Sequence, residues 1–243
     1  MKKSFALLIS LLCSTFAFAQ EPADVQVESA PAAENKVTAT LGVDLVNQYI
    51  WRGLHLGDVS IQPTLGIEYR GLSLSAWGSV GLSNKDDDKE IDLSLAYAIK
   101  GFSVSVTDYW LSKGNFFQFK NDKTTHVFGA SVGYDFGFLS AAWYTNFAGA
   151  DGVNSKGKRA YSSYFELSAP FTLGGLDWSG SIGIVPWDTD YYETTGFAVT
   201  DISLRATKEF TIKEKHRLPI FAGLTANPRA EKVYFIFGVS FYI

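Results

Sequence analysis

One cysteine, one methionine, seven prolines and three histidines are all that this 243-residue chain holds of those types. A lone cysteine rules out a disulfide framework and every Cys-x-x-Cys metal site. Three scattered histidines form no His-Glu-x-x-His pair, and neither a Gly-x-Ser-x-Gly elbow nor a phosphate-cradling glycine loop is present. The sequence therefore names no cofactor, no metal and no catalytic constellation. Beyond residue 19 no apolar run approaches the roughly 20 residues that a membrane-spanning helix needs. Basic residues are also in deficit, 21 against 25 acidic, which argues against nucleic acid as a partner.

The first residues read as an export signal. Lys2 and Lys3 precede an apolar stretch from Phe5 to Cys13, and Ala17-Phe18-Ala19 offers small residues for cleavage. Acylation at Cys13 is the rival reading, but Leu12 occupies the position where a small residue is required. Cleavage after Ala19 removes Cys13 and both lysines, so the exported chain is cysteine-free and more acidic still. It enters an oxidising compartment with only burial and backbone pairing to stabilise it. Residues 20–35, rich in Ala, Pro and Glu, read as a flexible periplasmic extension.

From residue 36 to the C-terminus the pattern has period two. In the last eleven residues Val233, Phe235, Phe237, Val239, Phe241 and Ile243 share one face, and Tyr234, Ile236, Gly238, Ser240 and Tyr242 share the other. That length suits a strand crossing a bilayer at a tilt. About twelve such segments follow one another. Tight turns at Arg70-Gly71, Lys100-Gly101, Phe136-Gly137 and Gly174-Gly175 alternate with long polar loops at 84–90, 112–124, 149–158 and 186–196, the one exception being the long stretch 209–217. Short turns on one side and long loops on the other are the asymmetry of an outer-membrane barrel. In lipid an open sheet edge leaves backbone groups unpaired, so the expected fold is all-β, a closed antiparallel transmembrane β-barrel spanning 36–243. Aromatic residues at strand ends fit two interfacial girdles, Tyr49, Trp51, Trp110, Trp143 and Trp187 on the loop side, with Tyr69, Tyr97, Phe102, Tyr134, Phe136, Phe171 and Trp178 on the turn side.

The stretch Asn47-Gln48-Tyr49-Ile50-Trp51-Arg52-Gly53, followed by Gln62-Pro63 and by Leu74-Ser75-Ala76-Trp77-Gly78-Ser79, resembles the TorF-type outer-membrane porin family. In that family a first strand ends in a Tyr-x-x-Arg-Gly element and a proline opens the next strand. The resemblance covers the first three strands, and it implies a barrel and a channel.

Parity assigns the inner face. It carries many Ser and Gly residues, which predicts a water-filled lumen, with Ser240 among those facing water. Asp44, Glu68, Trp77, Asp92, Glu166, Asp201 and Arg205 are expected to line it, and Asp135, Asp177, Arg70 and Lys100 also point inward by parity. Excess carboxylate predicts a mild preference for cations among small polar solutes diffusing passively. The expected location is the outer membrane of a Gram-negative bacterium. The expected partners are outer-membrane lipid, lipopolysaccharide and the barrel assembly machinery. Two alternatives compete: a barrel enzyme acting on outer-leaflet lipids, using His126 with Ser162 or Ser163 and an acid such as Asp92, and a structural or adhesive barrel. The acidic run 85–90 lacks the glycine and distal glutamate of a calcium loop and reads as an exposed charged loop.

Overall fold

A computed structural model describes residues 36–84, 87, 89–111, 114–120, 123–212 and 216–242. The expected export signal (1–19) and extension (20–35) lie outside the described residues, as does Ile243. Among the described residues fourteen strands follow in chain order: β1 (Thr38–Val46), β2 (Tyr49–Trp51), β3 (Leu54–Gly57), β4 (Ser60–Tyr69), β5 (Leu72–Gly81), β6 (Glu90–Ile99), β7 (Phe102–Leu111), β8 (His126–Asp135), β9 (Ser140–Gly149), β10 (Ser163–Leu173), β11 (Leu176–Val185), β12 (Ala198–Ile212), β13 (His216–Asn227) and β14 (Lys232–Tyr242). Twelve of them form one closed antiparallel barrel, with β1 bonded to both β14 and β4; β2 and β3 form a separate two-stranded sheet.

Strand pairing fixes which residues face outward. Phe237 pairs with Ala222 and Phe235 with Leu224, all on the outer face, while Asp44 pairs with Ser240 and Gln62 on the inner face. Leu41, Leu65, Leu74, Leu95, Val106 and Phe235 are all exposed, and together they make an apolar outer band. A protein in water would bury such a band, so it marks the surface that meets lipid.

The turn-side connections are tight for a backbone reason. Arg70-Gly71 and Lys100-Gly101 both lie at positive φ in each residue, the type I′ geometry whose twist matches the flanking strands. Arg70 and Lys100 are therefore exposed turn residues, and the inward orientation expected for them does not hold. The irregularity at 209–217 also resolves: β12 and β13 stay paired as far as Ile212 and His216, so the stretch is a longer hairpin and not a misplaced loop. The turn-side girdle is present, with Tyr69, Tyr97, Phe102, Tyr134 and Phe171 exposed on the outer face and Trp178 stacked on Phe171 at 6.0 Å. On the loop side Trp143 and Trp187 meet at 5.9 Å, but Tyr49 and Trp51 are buried and contribute nothing to a girdle.

Candidate functional site: a hairpin inside the lumen

The loop between β1 and β4 does not leave the barrel; it turns inward. At Val46 the β1 strand makes its last pair with β14, at Gly238. Beyond that point the β14 backbone would lose its ladder partners. The Asn47 side chain replaces them, accepting from Phe237 N at 2.7 Å and donating to Phe235 O at 3.0 Å, and Gln48 Nε2 donates to the same carbonyl at 2.9 Å. Two side-chain amides thus stand in for a missing strand and release the chain into the lumen.

There Tyr49–Gly57 forms a β-hairpin with its turn at Arg52-Gly53, again with both residues at positive φ. Tyr49 donates to Glu90 Oε2 at 2.9 Å and packs on Trp77, with ring centroids 5.5 Å apart. Trp51 stacks on Tyr192 at 5.6 Å and meets Tyr109 and Tyr191. The Arg52 guanidinium lies 4.0 Å from the centre of the Tyr144 ring and 4.6 Å from those of Trp51 and Tyr164, and it donates to the Tyr192 hydroxyl at 2.5 Å. Gly53 accepts from Asn227 Nδ2 at 3.0 Å. It has no room for a side chain, since a Cβ there would stand 1.8 Å from the Thr200 carbonyl oxygen. On the opposite flank Ile50 packs with Val46, Phe221 and Ile236.

Small inner-face residues do not all leave space for water. Tyr164 lies over Gly183, Phe221 over Gly238, Tyr109 over Gly129 and Tyr242 over Gly42, so each of these glycines makes room for an aromatic ring from the neighbouring strand. Ser240 is 0% exposed and does not face water. Asp92 is also fully buried, and Ser94, Ser103 and Ser105 nearly so, so the β6–β7 wall is closed off. A recess lies open against β10–β13, roofed by Ile50 and Arg52 and walled by Glu166, Ser181, Asp201 and Arg205. Hydroxyl pairs such as Ser203···Thr225 at 2.8 Å run along this wall, and Arg205 lies 3.5 Å over the Phe221 ring.

The seven residues expected to line the lumen all sit at inward register positions, but they do not form one group. Glu166, Asp201 and Arg205 share the recess. Trp77 and Asp92 pair with each other on the hairpin side. Asp44 is buried and accepts from the Tyr242 hydroxyl at 3.3 Å, and Glu68 is exposed toward the turn-side mouth. Sequence reasoning missed Arg52, Tyr144, Tyr164 and Tyr192. A signal for the turn was available: Arg52-Gly53 repeats the basic-glycine pair of Arg70-Gly71 and Lys100-Gly101.

The enzyme constellation is not assembled. His126 Nδ1 lies 2.7 Å from Asp108 Oδ1 and its Nε2 lies 2.7 Å from the Phe116 carbonyl oxygen, so both ring nitrogens are engaged. Ser162 bonds to Thr189 at 2.6 Å and Ser163 to Tyr161 O at 2.8 Å, and neither serine meets the imidazole. Among the described residues no three His, Cys, Asp or Glu side chains are placed to hold a metal. Of the acidic run, Asp87 turns inward to accept from Asp58 N at 3.0 Å; Lys85, Asp86 and Asp88 lie outside the described residues.

No protein-family model matches the chain, and no curated protein matches it. Among solved structures it is similar to a NanC porin, at 9% identity over 84% of this chain and 98% of that one, with a TM-score of 0.47. A KdgM porin in complex with disordered oligogalacturonate aligns at 9% identity over 85% and 98%, with a TM-score of 0.44. An outer membrane channel from Pseudomonas putida F1 aligns at 14% identity over 89% and 99%, with a TM-score of 0.39.

Loops on the hairpin side are tied to one another. Val153 N donates to Asp190 Oδ1 and Ser155 N to Asp188 Oδ2, each at 2.7 Å, and Trp187 Nε1 donates to Ala160 O at 2.9 Å. The Ser155 hydrogen bonds hold the Asp188 carboxyl below its ordinary value. This staple joins the β9–β10 and β11–β12 loops beside Tyr191 and Tyr192, which pack against the hairpin.

Proposed function

We propose that the protein is an outer-membrane channel for passive diffusion of small hydrophilic solutes, narrowed by the Tyr49–Gly57 hairpin and mildly cation-preferring. The observation that carries this reading is a closed barrel with an apolar outer band around an inner recess that carries Glu166, Asp201, Arg205 and several hydroxyls and leads up to that hairpin. Closure satisfies every strand edge in lipid, and the Ser, Thr and charged wall offers a wet path through it. Cation preference follows from the inner face, where Asp44, Glu68, Asp92, Glu166 and Asp201 outnumber Arg52 and Arg205. Placement with the TorF-type porins rests on the Tyr49-x-x-Arg52-Gly53 element, which here forms the constriction itself. Export, insertion by the barrel assembly machinery and contact with lipopolysaccharide belong to the same proposal.

Planar-bilayer recording of the full chain tests it. Discrete conductance steps are expected, with a reversal potential under a KCl gradient that favours K⁺. Replacing Asp44 by Asn and Glu166 by Gln together should move that potential toward zero, and 1 M salt should shrink it because screening shortens to about 3 Å. Absence of conductance, both in the native chain and after the hairpin is disrupted, would overturn the channel.

A further inference from the structure

Near the loop-side end of β7 and β8 the mostly apolar outer wall carries a histidine and a carboxylate. Register places Asp108 beside Leu93 and Phe128, and His126 beside Trp110, all on the lipid-facing side. The two polar groups are compensated locally. His126 Nδ1 lies 2.7 Å from Asp108 Oδ1 and its Nε2 2.7 Å from the Phe116 carbonyl oxygen, so both ring nitrogens and the carboxyl are engaged. Phe116 and Phe119 close over the imidazole at 5.2 and 4.6 Å, with Trp110 at 6.4 Å and Phe128 at 6.1 Å, and His126 is completely buried.

Residues 114–120 are therefore pinned flat against the outside of the barrel and do not arch over its mouth. Pinned there, they turn Phe117, 81% exposed, away from the wall and leave the outer side of Phe119 54% exposed where its other side covers His126, with exposed Lys120 and Lys123 alongside. An aromatic tip continuous with the lipid-facing band, set beside two amines, matches an anionic amphiphile: acyl chains against the rings, phosphate against the ammonium groups. A second copy of the chain fits less well, because facing copies would bring like-charged lysines together.

We propose that residues 114–120 with Lys123, held by the Asp108–His126 pair, form a binding site for a phosphorylated lipid of the outer leaflet. This rests on the outer-membrane location in the proposed function, with the long loops facing outward, but not on conduction.

Native mass spectrometry of the detergent-purified full chain tests it, with a bisphosphorylated glucosamine lipid, the same lipid dephosphorylated, and phosphatidylethanolamine as probes. The native chain should retain the bisphosphorylated lipid at least tenfold better than the other two. Lys120→Gln with Lys123→Gln should abolish that preference, while Phe117→Ser should weaken retention of all three. Heat-modifiable gel migration confirms that each variant is a folded barrel. Equal retention of the three lipids by the native chain, or an unchanged preference in the double-lysine variant, would overturn the proposal. Dimers that vanish with Phe117→Ser in place of lipid retention would also overturn it. Conductance of the double-lysine variant should match the native chain. Lipid preference without conductance would refute the channel and leave this site standing.

Discussion

Arg52 is the side chain on which the seating of the Tyr49–Gly57 hairpin most depends, and replacing it with methionine removes its charge and its hydrogen bond. Methionine keeps most of the length and the apolar contact, but it loses the guanidinium lying between 4.0 and 4.6 Å from three ring centres and the hydrogen bond to Tyr192. A desolvated cation–π contact is worth up to about 2 kcal/mol, and a hydrogen bond from a charged donor about 1.5–3 kcal/mol. Burying the guanidinium offsets part of this gain, which leaves a net loss on the order of 3 kcal/mol. At about 1.4 kcal/mol per decade, the ratio of displaced to seated hairpin should rise roughly 100-fold. Single-channel recording reads that ratio directly, as time spent in a larger conductance state. The barrel itself should keep its heat resistance, because Arg52 makes no strand-ladder bond in the wall. Gly53→Ala should act the same way through sterics, since its Cβ would meet the Thr200 carbonyl oxygen at 1.8 Å and φ is +81°. If both variants conduct as the native chain does, the hairpin does not control the path and the reasoning fails.

Other expectations concern the wall and the loops. Phe237 is 53% exposed at the middle of β14, so Phe237→Arg should cost about 2–4 kcal/mol in urea-monitored folding into vesicles while Phe237→Leu is tolerated; equal folding would place β14 in the wrong register. Asp188 takes the Ser155 amide hydrogen and its carboxyl is lowered, so the loop staple is intact above the ordinary carboxylate value near 3.9 and lost as pH falls through the lower folded value. The Ser155 amide resonance should titrate below that ordinary value, and titration at or above it would refute the contact. A cysteine at Lys156 should react with a membrane-impermeant thiol reagent on intact cells, whereas one at Phe138, exposed on the turn side, should react only after the outer membrane is opened; the opposite pattern would invert the topology.

The barrel was legible in the sequence because both of its determinants are local. Alternation from Val233 to Phe241 records which side of one strand meets lipid, and that choice needs no knowledge of other strands. Turn chemistry is equally local: Arg70-Gly71 and Lys100-Gly101 carry the glycine that a type I′ turn requires. The stretch 209–217 misled for the same reason in reverse, since pairs such as Glu209 with Pro219 lie across the hairpin and a polar composition resembles a loop.

What the sequence determined by itself is therefore the wall: strand number, facing, and the end that carries the long loops. Only the tertiary structure decided what fills it. Tyr49 and Trp51 have the composition of girdle residues and Arg52 that of a surface loop. Their burial depends on Asn47 and Gln48 capping β14, on Tyr144, Tyr164 and Tyr192 converging from β9, β10 and the β11–β12 loop, and on Gly53 fitting against Thr200. Those contacts join residues up to 190 positions apart. A side chain's facing is set by the period of its own strand, but the fate of a loop is set by the shape of the space that all the strands enclose.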